Sequence, residues 1–476
     1  MWYNKMNKGA INLPITKTQV RFAIEDALVQ KVYDAAEKKS LDNIQNFCGR
    51  NVLVEGGGYH KIWLETQPMG GEMYAKRNIE AALNNQLMFM EHQRADGRLP
   101  GSITVTDGQI RPEFNKFQGF CFPFPALNMY YWANLDKAYL EQLRTCLIRF
   151  DEYMWKTRDS NNDGCLEAWC ITDTGEDGAV RYGDAPFWWT EDTPPQDAAV
   201  VPIQSMDFMA FSISARKTLA KVSELLGTGE KSLWQEKAKA VQDKLKSYLW
   251  DDKRGACFDR DKHGNTMDIL LHNNLRVMYW NGFDQAMADR FVKEHLLNEK
   301  EFWTPFPLPS VAANDKMFRN HSENDWSGQP EGLTYQRAIR ALTLYGYDYL
   351  LPILSDKLIS AIGENCRFTQ QFDPFTGALS SEKDGYGPTM LSVLEYISRL
   401  YGFHLEGEAF HFGLRGGKAF EYEQIWGDKT FLLRSNGKKA EVSLNGKMLF
   451  KSETGVKIVT DWDGNITQKI SLEGKA

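Results

Sequence analysis

Apolar residues recur every three or four positions over most of the chain, which predicts a mainly α protein. The spacing is clear in residues 20–47, 72–93, 135–157 and 204–227, and the last segment ends on Gly227, a residue suited to a helix C-cap. The same spacing predicts further helices over residues 230–250, 283–297, 331–345, 349–363 and 388–401.

The segments between these helices share a composition rich in Gly, Pro, Asp and aromatic residues. Examples are residues 94–103, 159–169, 303–315 and 372–389. Helix pairs joined by such loops predict an (α/α)6 toroid of antiparallel helix pairs, with the loops gathered at one end around a pocket. A rigid scaffold that positions loops in this way commonly carries the functional residues on them.

The pattern changes near residue 404 to alternating apolar positions interrupted by SNG, LNG and DGN, which are hairpin signals. This predicts a small C-terminal antiparallel β module that leans on the helical body. The predicted division is an N-terminal segment over residues 1–18, a helical domain over 19–403 and a β domain over 404–476.

Charge and composition narrow the class of partner. The net charge is −7 and no Lys/Arg stripe forms, so nucleic acid is not an expected partner. No apolar run is long enough to cross a bilayer, and the N-terminus lacks the apolar core of a signal peptide, so a cytoplasmic protein is expected. A signal peptide that had already been removed would leave the same sequence.

Fourteen Trp residues beside 27 Phe and 19 Tyr are a heavy aromatic load, which suits either a sugar-binding protein or a large aromatic core. Residues 173–193 add several carboxylates next to Phe187, Trp188 and Trp189. This stretch is either a solvated loop with an apolar edge or part of a sugar site.

Several loop motifs, taken in order, resemble one enzyme family. Residues 92–100 (HQRADGRLP), 159–169 (DSNNDGCLEAW), 173–178 (DTGEDG), 325–342 (DWSGQPEGLTYQRAIRAL) and 372–377 (FDPFTG) carry the likeness. Over residues 55–403 the chain resembles the (α/α)6-barrel glycoside hydrolases of family 63 and the mannosylglycerate-hydrolase-like group. A weaker resemblance links it to the family 37 trehalases.

The resemblance implies an inverting glycosidase in which Asp177 is the catalytic acid. Inversion requires a second carboxylate that activates a water molecule on the opposite side of the sugar. The family carries this base as a Glu shortly before the turn at residues 372–377, where this chain has Gln370. An amide cannot accept the proton from water, so the base must lie elsewhere or be absent.

Four carboxylates are candidates for the base. Glu331 opens a predicted helix inside a matching loop and ranks first, although a helix N-terminal carboxylate favoured by the helix dipole is the competing interpretation. Glu382 and Asp384 follow the turn that normally comes after the base, and Glu65 stands where the family has a sugar-binding acid. A chain without a functioning base is the remaining alternative.

The expected substrate-binding residues are the aromatic side chains of Trp63, Trp188 and Trp326, together with three polar side chains. The polar set is Glu65, Gln370 and Glu382. Each Trp has a competing role as a core residue, and Gln370 could equally be a buried structural amide.

The turn at residues 159–164 places Asp159, Asn161 and Asp163 at positions one, three and five before a Gly, which fits the first half of a calcium loop. Position twelve is Cys170 rather than an acid, so an Asx-rich turn without metal is an equal alternative. No cofactor is required by any other motif.

The function expected from these observations is an inverting, exo-acting glycosidase on a short α-linked gluco- or manno-saccharide. Two alternatives remain. One is a sugar-binding protein on a catalytically altered hydrolase scaffold, which Gln370 favours. The other is a related toroid glycosidase with a different sugar specificity.

Overall fold

The computed structural model describes residues 13–474, and the predicted N-terminal segment therefore lies largely outside the described residues. The described residues form twelve α-helices: α1 Ala27–Ser40, α2 Gln67–Tyr74, α3 Ile79–Glu91, α4 Pro123–Trp132, α5 Lys137–Thr157, α6 Met206–Leu226, α7 Lys231–Tyr248, α8 Asn273–Tyr279, α9 Gln285–Phe291, α10 Gly332–Leu344, α11 Leu351–Ile362 and α12 Gly387–Tyr401.

The six even-numbered helices form a closed ring. Helix α2 contacts α4, and the contacts continue through α6, α8, α10 and α12, which returns to α2. Among the odd-numbered helices, α3 and α5 each contact two ring helices, α7 contacts α6, and α1 and α11 contact α12. The chain is thus mainly helical, with an inner ring and helices packed outside it.

The inner and outer helices differ in how much of their surface is buried, and their sequences differ accordingly. Every residue of α12 is buried, and its sequence GPTMLSVLEYISRLY contains few charged residues. Outer helix α7 buries only Trp234, Ala238, Val241 and Leu245, which recur every three or four positions along one face. A helix that is covered all round belongs inside, whereas one apolar stripe marks a helix with an exposed side.

Eighteen strands complete the described part of the chain: β1 Thr18–Ile24, β2 Ile44–Phe47, β3 Arg50–Leu53, β4 Ile62–Trp63, β5 Ser102–Thr106, β6 Gln109–Glu113, β7 Glu167–Ala168, β8 Ile203–Gln204, β9 Trp250–Asp251, β10 Ala256–Cys257, β11 Phe403–Glu406, β12 Ala409–Leu414, β13 Ala419–Trp426, β14 Lys429–Asn436, β15 Lys439–Leu444, β16 Lys447–Glu453, β17 Val456–Thr460 and β18 Ile466–Ser471.

The C-terminal strands build two antiparallel sheets that pack face to face. One sheet has the order β1-β13-β14-β15-β16 and the other β11-β12-β17-β18. Aromatic rings fill the space between them: Phe403 stacks on Phe431 at 4.5 Å, and Phe410 lies 6.0 Å from Trp426. The predicted C-terminal β module is therefore present as a two-layer sandwich.

The sandwich rests on the helical ring. Strand β11 contacts α4 and α12, and the Trp426 indole donates a hydrogen bond to the carbonyl of Trp132 at 2.7 Å. Lys76 and Glu395 form a fully buried ion pair nearby, with Nζ and Oε2 2.7 Å apart. One continuous apolar core extends through both parts, and the predicted domain boundaries remain predictions.

Strand β1 corrects the sequence-based expectation that a helix begins at residue 20. The segment TQVRFAI alternates, with Phe22 buried and Arg21 exposed, and it pairs with β13. The helix begins only at Ala27, after Asp26 accepts a hydrogen bond from the Val29 amide as N-cap. The same few apolar positions fit a helix as well as a strand, and the structure follows the alternating pattern of β-branched and aromatic residues.

Other helix bounds also differ from expectation. The segment 72–93 holds the end of one helix and the whole of the next, because α2 ends at Tyr74 and α3 begins after its N-cap Asn78. Ring helices α4 and α8 were not predicted, since their short apolar sequences have no polar face to show a period. No helix among residues 13–474 combines the length and apolar character required to cross a membrane.

Candidate active site

A cavity of about 190 Å3 opens where loops enter the helical ring. This is below the roughly 300–1,000 Å3 of pockets for drug-sized ligands, so it suits a small ligand unit. The lining residues belong to the segments that lead into five of the six ring helices, or to the first turn of the helix. They are Glu55, Tyr59, Lys61, Trp63 and Glu65 ahead of α2; Lys116 and Gln118 ahead of α4; Thr172, Gly175, Asp177, Phe187 and Trp188 ahead of α6; Asn324, Trp326 and Leu333 at α10; and Gln370 and Tyr386 ahead of α12.

Asp177 lines this cavity from the acidic loop before α6. Its Oδ2 accepts a hydrogen bond from Asn324 Nδ2 at 2.8 Å, whereas Oδ1 is buried and has no hydrogen-bond partner. Burial raises the pKa of Asp177, against lowering by the Asn324 hydrogen bond and by Lys116. The free oxygen is therefore suited to hold a proton that it can donate.

The neighbouring acids of the same loop face elsewhere. Glu176 is buried against Arg181, His272 and Asn273, with its carboxylate 3.0 Å from the His272 ring nitrogen. Burial alone would raise the pKa of Glu176, but Arg181 and Arg276 hold it well below its usual value. Glu176 is therefore a permanent anion that fixes the loop, and Asp177 is left to face the cavity.

Glu331 is the N-cap residue of α10, and its side chain is fully buried. It makes no capping bond, and neither carboxylate oxygen has a hydrogen-bond partner. Burial raises the pKa of Glu331 well above its usual value, and the charges of Glu65 and Asp177 raise it further, against a smaller lowering by the nearby Gln370 amide. Glu331 thus stands at the N-terminus of α10, where the helix dipole favours a carboxylate, although its side chain makes no capping bond.

Glu65 forms the floor of the cavity with an arginine. Its Oε1 lies 2.6 Å from Arg337 Nη2, and burial raises its pKa to about 7 although Arg337 lowers it. The backbone of Gly175 passes so close that an added Cβ would lie 1.9 Å from Glu65 Oε2. Gly175 also has a φ of +73°, so this position requires glycine on both counts.

Glu55 is a cavity carboxylate that sequence reasoning did not single out. It is buried, it lines the cavity, and its Oε1 accepts a hydrogen bond from the Tyr386 hydroxyl at 3.1 Å. Burial, then Glu65 and Asp177, raise the pKa of Glu55 well above its usual value. The signal in the sequence was the run EGGGY, whose three glycines all adopt positive φ and turn the chain back toward the cavity.

Two amides and a phenol connect the cavity walls. Tyr59 Oη donates to Gln370 Oε1 at 3.3 Å, and Gln370 Nε2 donates to Asn324 Oδ1 at 2.6 Å. Asn324 in turn donates to Asp177. Tyr59 and Asn324 were not predicted, because neither lies in a motif with a fixed chemical spacing.

The three expected tryptophans all line the cavity, in different settings. Trp326 is almost fully buried and its ring centroid lies 5.5 Å from that of His272. Trp63 is half-buried, and Trp188 is 56% exposed beside Phe187. Trp326 is thus part of the wall, whereas Trp188 and Phe187 stand at the mouth.

Two lysines bring positive charge to the cavity near Trp63. Their ammonium nitrogens lie 5.5 Å (Lys61) and 5.3 Å (Lys116) from the Trp63 ring centroid. Both share one carboxylate, Glu113, at 2.6 and 3.1 Å. Burial would raise the pKa of Glu113, but hydrogen bonds from Lys61 and Ser102 lower it to about 2. Of the two lysine charges, Glu113 therefore balances one and leaves one in excess.

Two of the expected acids do not reach the cavity. Glu382 is exposed, and its backbone carbonyl accepts a hydrogen bond from Arg367. Asp384 pairs with Lys39 and accepts the Phe368 amide at 2.8 Å. The substrate-binding role expected for Glu382 has no support in its position, because its side chain is exposed and does not line the cavity.

The turn at residues 159–164 uses its oxygens internally. Asp159 Oδ1 accepts the Gly164 amide, Asn161 Oδ1 the Asp163 amide, and Asp163 Oδ1 the Cys165 amide, at 2.8–3.2 Å. Over residues 13–474 no group of three or more His, Cys, Asp or Glu side chains could hold a metal ion. These bonds describe an Asx turn, and calcium binding by Asp159, Asn161 and Asp163 remains a prediction.

Solved structures share this fold at low sequence identity. The mannosylglycerate hydrolase of Thermus thermophilus, solved with glucose and also with Tris and D-glycerate, aligns with a TM-score of 0.62 at 17% identity over 77% of this chain and 99% of its own in the glucose complex. A sialidase aligns with a TM-score of 0.71 at 13% identity, over 93% of this chain and 41% of its own. The neutral trehalase of Saccharomyces cerevisiae aligns with a TM-score of 0.54 at 14% identity, over 74% of this chain and 73% of its own.

The sequence itself matches a family model. Residues 63–389, well over half of the chain, match the mannosylglycerate hydrolase MGH1-like glycoside hydrolase domain. The match begins at Trp63 and ends in the first turn of α12, so it spans five of the six ring helices and most of the residues that line the cavity. The chain therefore belongs to this family of glycoside hydrolases and is a glycosidase.

Proposed function

We propose that the protein is an inverting, exo-acting glycosidase that cleaves a short α-linked gluco- or manno-saccharide, with Asp177 as the acid and Glu331 as the base. The observation that carries this proposal is a pair of buried carboxyl groups with unpartnered oxygens: Asp177 lines the cavity, and Glu331 lies in the chain between the cavity residues Trp326 and Leu333. We interpret the closed ring of six inner helices as the (α/α)6 toroid of this enzyme class.

Asp177 would protonate the departing glycosidic oxygen. Its unpartnered Oδ1 is the oxygen available to carry the proton, and Asn324 orients the carboxyl group through Oδ2. Burial favours the neutral acid, which general acid catalysis requires at the moment of bond cleavage.

Glu331 would take a proton from the attacking water. Its charge and that of Asp177 disfavour one another, so the pair holds one proton more readily than none. The proposal requires that this proton lies on Asp177 in the reactive complex, so that Glu331 is the anion. One neutral acid and one carboxylate is the combination that inversion needs.

The shape and charge of the cavity support a small substrate. Glu65 and Arg337 close the floor, which leaves room for one terminal sugar unit and favours exo action. The excess positive charge of Lys61 and Lys116 beside Trp63 favours a leaving group that carries a carboxylate, such as a glycerate.

A panel of 4-nitrophenyl α-glycosides together with glucosyl- and mannosyl-glycerate tests the activity. We expect turnover of at least one member, with NMR of the first product showing the inverted anomer. Asp177→Asn should lower kcat by about 10²–10⁴-fold, the contribution of a positioned general acid. Retention of configuration, or full activity of Asp177→Asn, would contradict the proposal.

Glu55 is the competing base, because it lines the cavity directly whereas the oxygens of Glu331 are covered. Glu331→Gln and Glu55→Gln are matched isosteric variants that separate the two. The base variant should lose activity with water as nucleophile and recover it with added azide, since azide needs no deprotonation.

The second candidate function is a related toroid glycosidase with a different sugar specificity, which Gln370 favours because it stands where the resembled enzymes carry their base. Turnover of only a different sugar, such as a rhamnoside, would favour this second function.

A further inference from the structure

Tyr59, Gln370, Asn324 and Asp177 form a chain of hydrogen bonds in which each side chain donates to the next. Gln370 accepts through its carbonyl oxygen from Tyr59 and donates through its amide nitrogen to the carbonyl oxygen of Asn324. Because Asn324 presents its oxygen to Gln370, its own nitrogen faces Asp177. The orientation of one amide thus determines which group the next one offers to the catalytic acid.

Asn324 is held in place by more than this chain of bonds. Its backbone has a φ of +59°, following Glu323 at +74°, so two consecutive residues adopt the left-handed region. The backbone N–H of Asn324 donates a hydrogen bond to the side-chain oxygen of Gln371. The backbone is therefore fixed, and the side chain retains one choice, namely which end of its amide faces Asp177.

We propose that Gln370 is a positioning residue whose amide fixes Asn324 so that Asn324 donates its N–H to the carboxyl group of Asp177. This inference rests on the proposed function, in which Asp177 is the acid. It gives the amide at position 370 a role of its own, rather than treating it as a lost base.

A carboxylate at position 370 would reverse the arrangement. Because it lacks an N–H, the side chain introduced by Gln370→Glu would accept from Asn324, whose amide would turn and present its oxygen to Asp177. An oxygen acceptor there stabilises the protonated acid, so the acid would release its proton less readily. A third negative charge beside Asp177 and Glu331 would act in the same direction.

The charged and titratable groups around Asp177 come from several loops. Lys116 lowers its pKa, and Asp177 in turn raises the pKa of Glu55, Glu331 and Tyr59. A test must therefore separate the direction of the hydrogen bond from the added charge.

The test measures the pKa of Asp177 directly by ¹³C NMR of the protein labelled at aspartate carboxyl groups, with its resonance identified by loss in Asp177→Asn. Asn324→Ala removes the donor without adding charge. We expect it to raise the pKa of Asp177 by about one unit, the effect of one hydrogen bond to a charged carboxylate. Gln370→Met, which leaves Asn324 free to rotate, should raise it by less.

Two charged variants complete the design. Gln370→Glu should raise the pKa of Asp177 more than Gln118→Glu, which adds a carboxylate to the cavity from the loop before α4 but has no hydrogen bond to Asn324 or Asp177. Thermal midpoints of all variants verify folding. An unchanged pKa in Asn324→Ala, or equal shifts in the two Glu variants, would overturn the proposal.

Activity gives an independent outcome. With any substrate of the glycoside panel, Gln370→Glu should lower kcat and move the basic limb of the pH–rate profile upward. A gain in kcat would show that position 370 serves as a base site and would overturn the positioning role. If no substrate is turned over by the wild type, the proposed function fails, yet the NMR titration still decides the role of Gln370.

Discussion

Glu331 illustrates, at the level of one residue, how the proposed catalytic arrangement opposes stability. A buried carboxylate without a hydrogen-bond partner is costly, and Glu331 has two oxygens in that state. Such groups persist at functional sites because the surrounding structure holds them there. The cost should be measurable when the carboxylate is replaced by its amide.

Glu331→Gln should raise the unfolding free energy by about 1–3 kcal/mol at pH 8, since a neutral amide is less costly to bury than an unpaired charge. The folded-state pKa of Glu331 lies above its ordinary value of 4.5, so the stabilisation from its bound proton is complete below that pH and is lost as the pH rises through the folded-state pKa.

The gain from Glu331→Gln should therefore shrink toward pH 4. Urea unfolding of wild type and variant at pH 4 and pH 8 measures both values. A variant that is less stable than the wild type at pH 8 would show that Glu331 has a stabilising partner in solution.

Individual site residues differed in how well the sequence could indicate them. Asp177 and Trp326 lie in motifs that resemble a known family, Trp188 lies in the acidic aromatic stretch and Trp63 shortly precedes Glu65; all four line the cavity. The positions of Glu55 and Asn324 depend on left-handed backbone at residues 56–58 and 323–324, which places a side chain that no linear spacing predicts.

At the level of elements, helices with one polar face were predicted closely. The expected helix over residues 135–157 is observed as Lys137–Thr157, and the expected C-cap at Gly227 has a φ of +74°. The short inner helices α4 and α8 were missed because a helix covered on all sides has no amphipathic period.

Strand β1 should contribute strongly to stability through Phe22. The centroid of its ring lies 5.0 Å from that of Tyr33 and 5.8 Å from that of Tyr401. Phe22→Ala should lower the unfolding free energy by about 3–5 kcal/mol, as expected for loss of a buried phenyl ring. The matched control is Arg21→Ala on the exposed face, where the ion pair with Glu423 contributes about 0.2–1 kcal/mol. Equal effects would contradict the burial of β1.

The Asx turn at residues 159–164 should be stable without metal, because its side-chain oxygens already accept hydrogen bonds from its own backbone. Thermal unfolding should have the same midpoint in EDTA and in calcium. Asp163→Ala should lower that midpoint equally in both, since it removes bonds from Cys165 and Gln204. A midpoint that rises with calcium only in the wild type would establish the metal site.

For the whole molecule, the ring of helices and the β sandwich share one core, so they should unfold together. Phe410→Ala, deep in the sandwich, should lower the melting midpoint of the helical far-UV circular dichroism signal as much as that of tryptophan fluorescence. If Phe410→Ala left the melting midpoint of the helical signal unchanged, the ring of helices and the β sandwich would be two units that unfold independently.

The sequence predicted both parts of the molecule but not how they join. Composition alone marked the change near residue 404, and strand β11 begins at Phe403. The contact between β1 and β13 joins residues far apart in the chain, and no local pattern in either segment identifies the other as its partner.

That pairing also sets a condition on synthesis. Phe22 pairs with Tyr422, so the edge strand β1 waits for a partner that is synthesised about 400 residues later. At typical elongation rates of about 5–20 residues per second, the wait lasts roughly 20–80 s. During that interval the exposed backbone of the early strand is open to incorrect partners, and chaperones that bind nascent chains would have their greatest effect there.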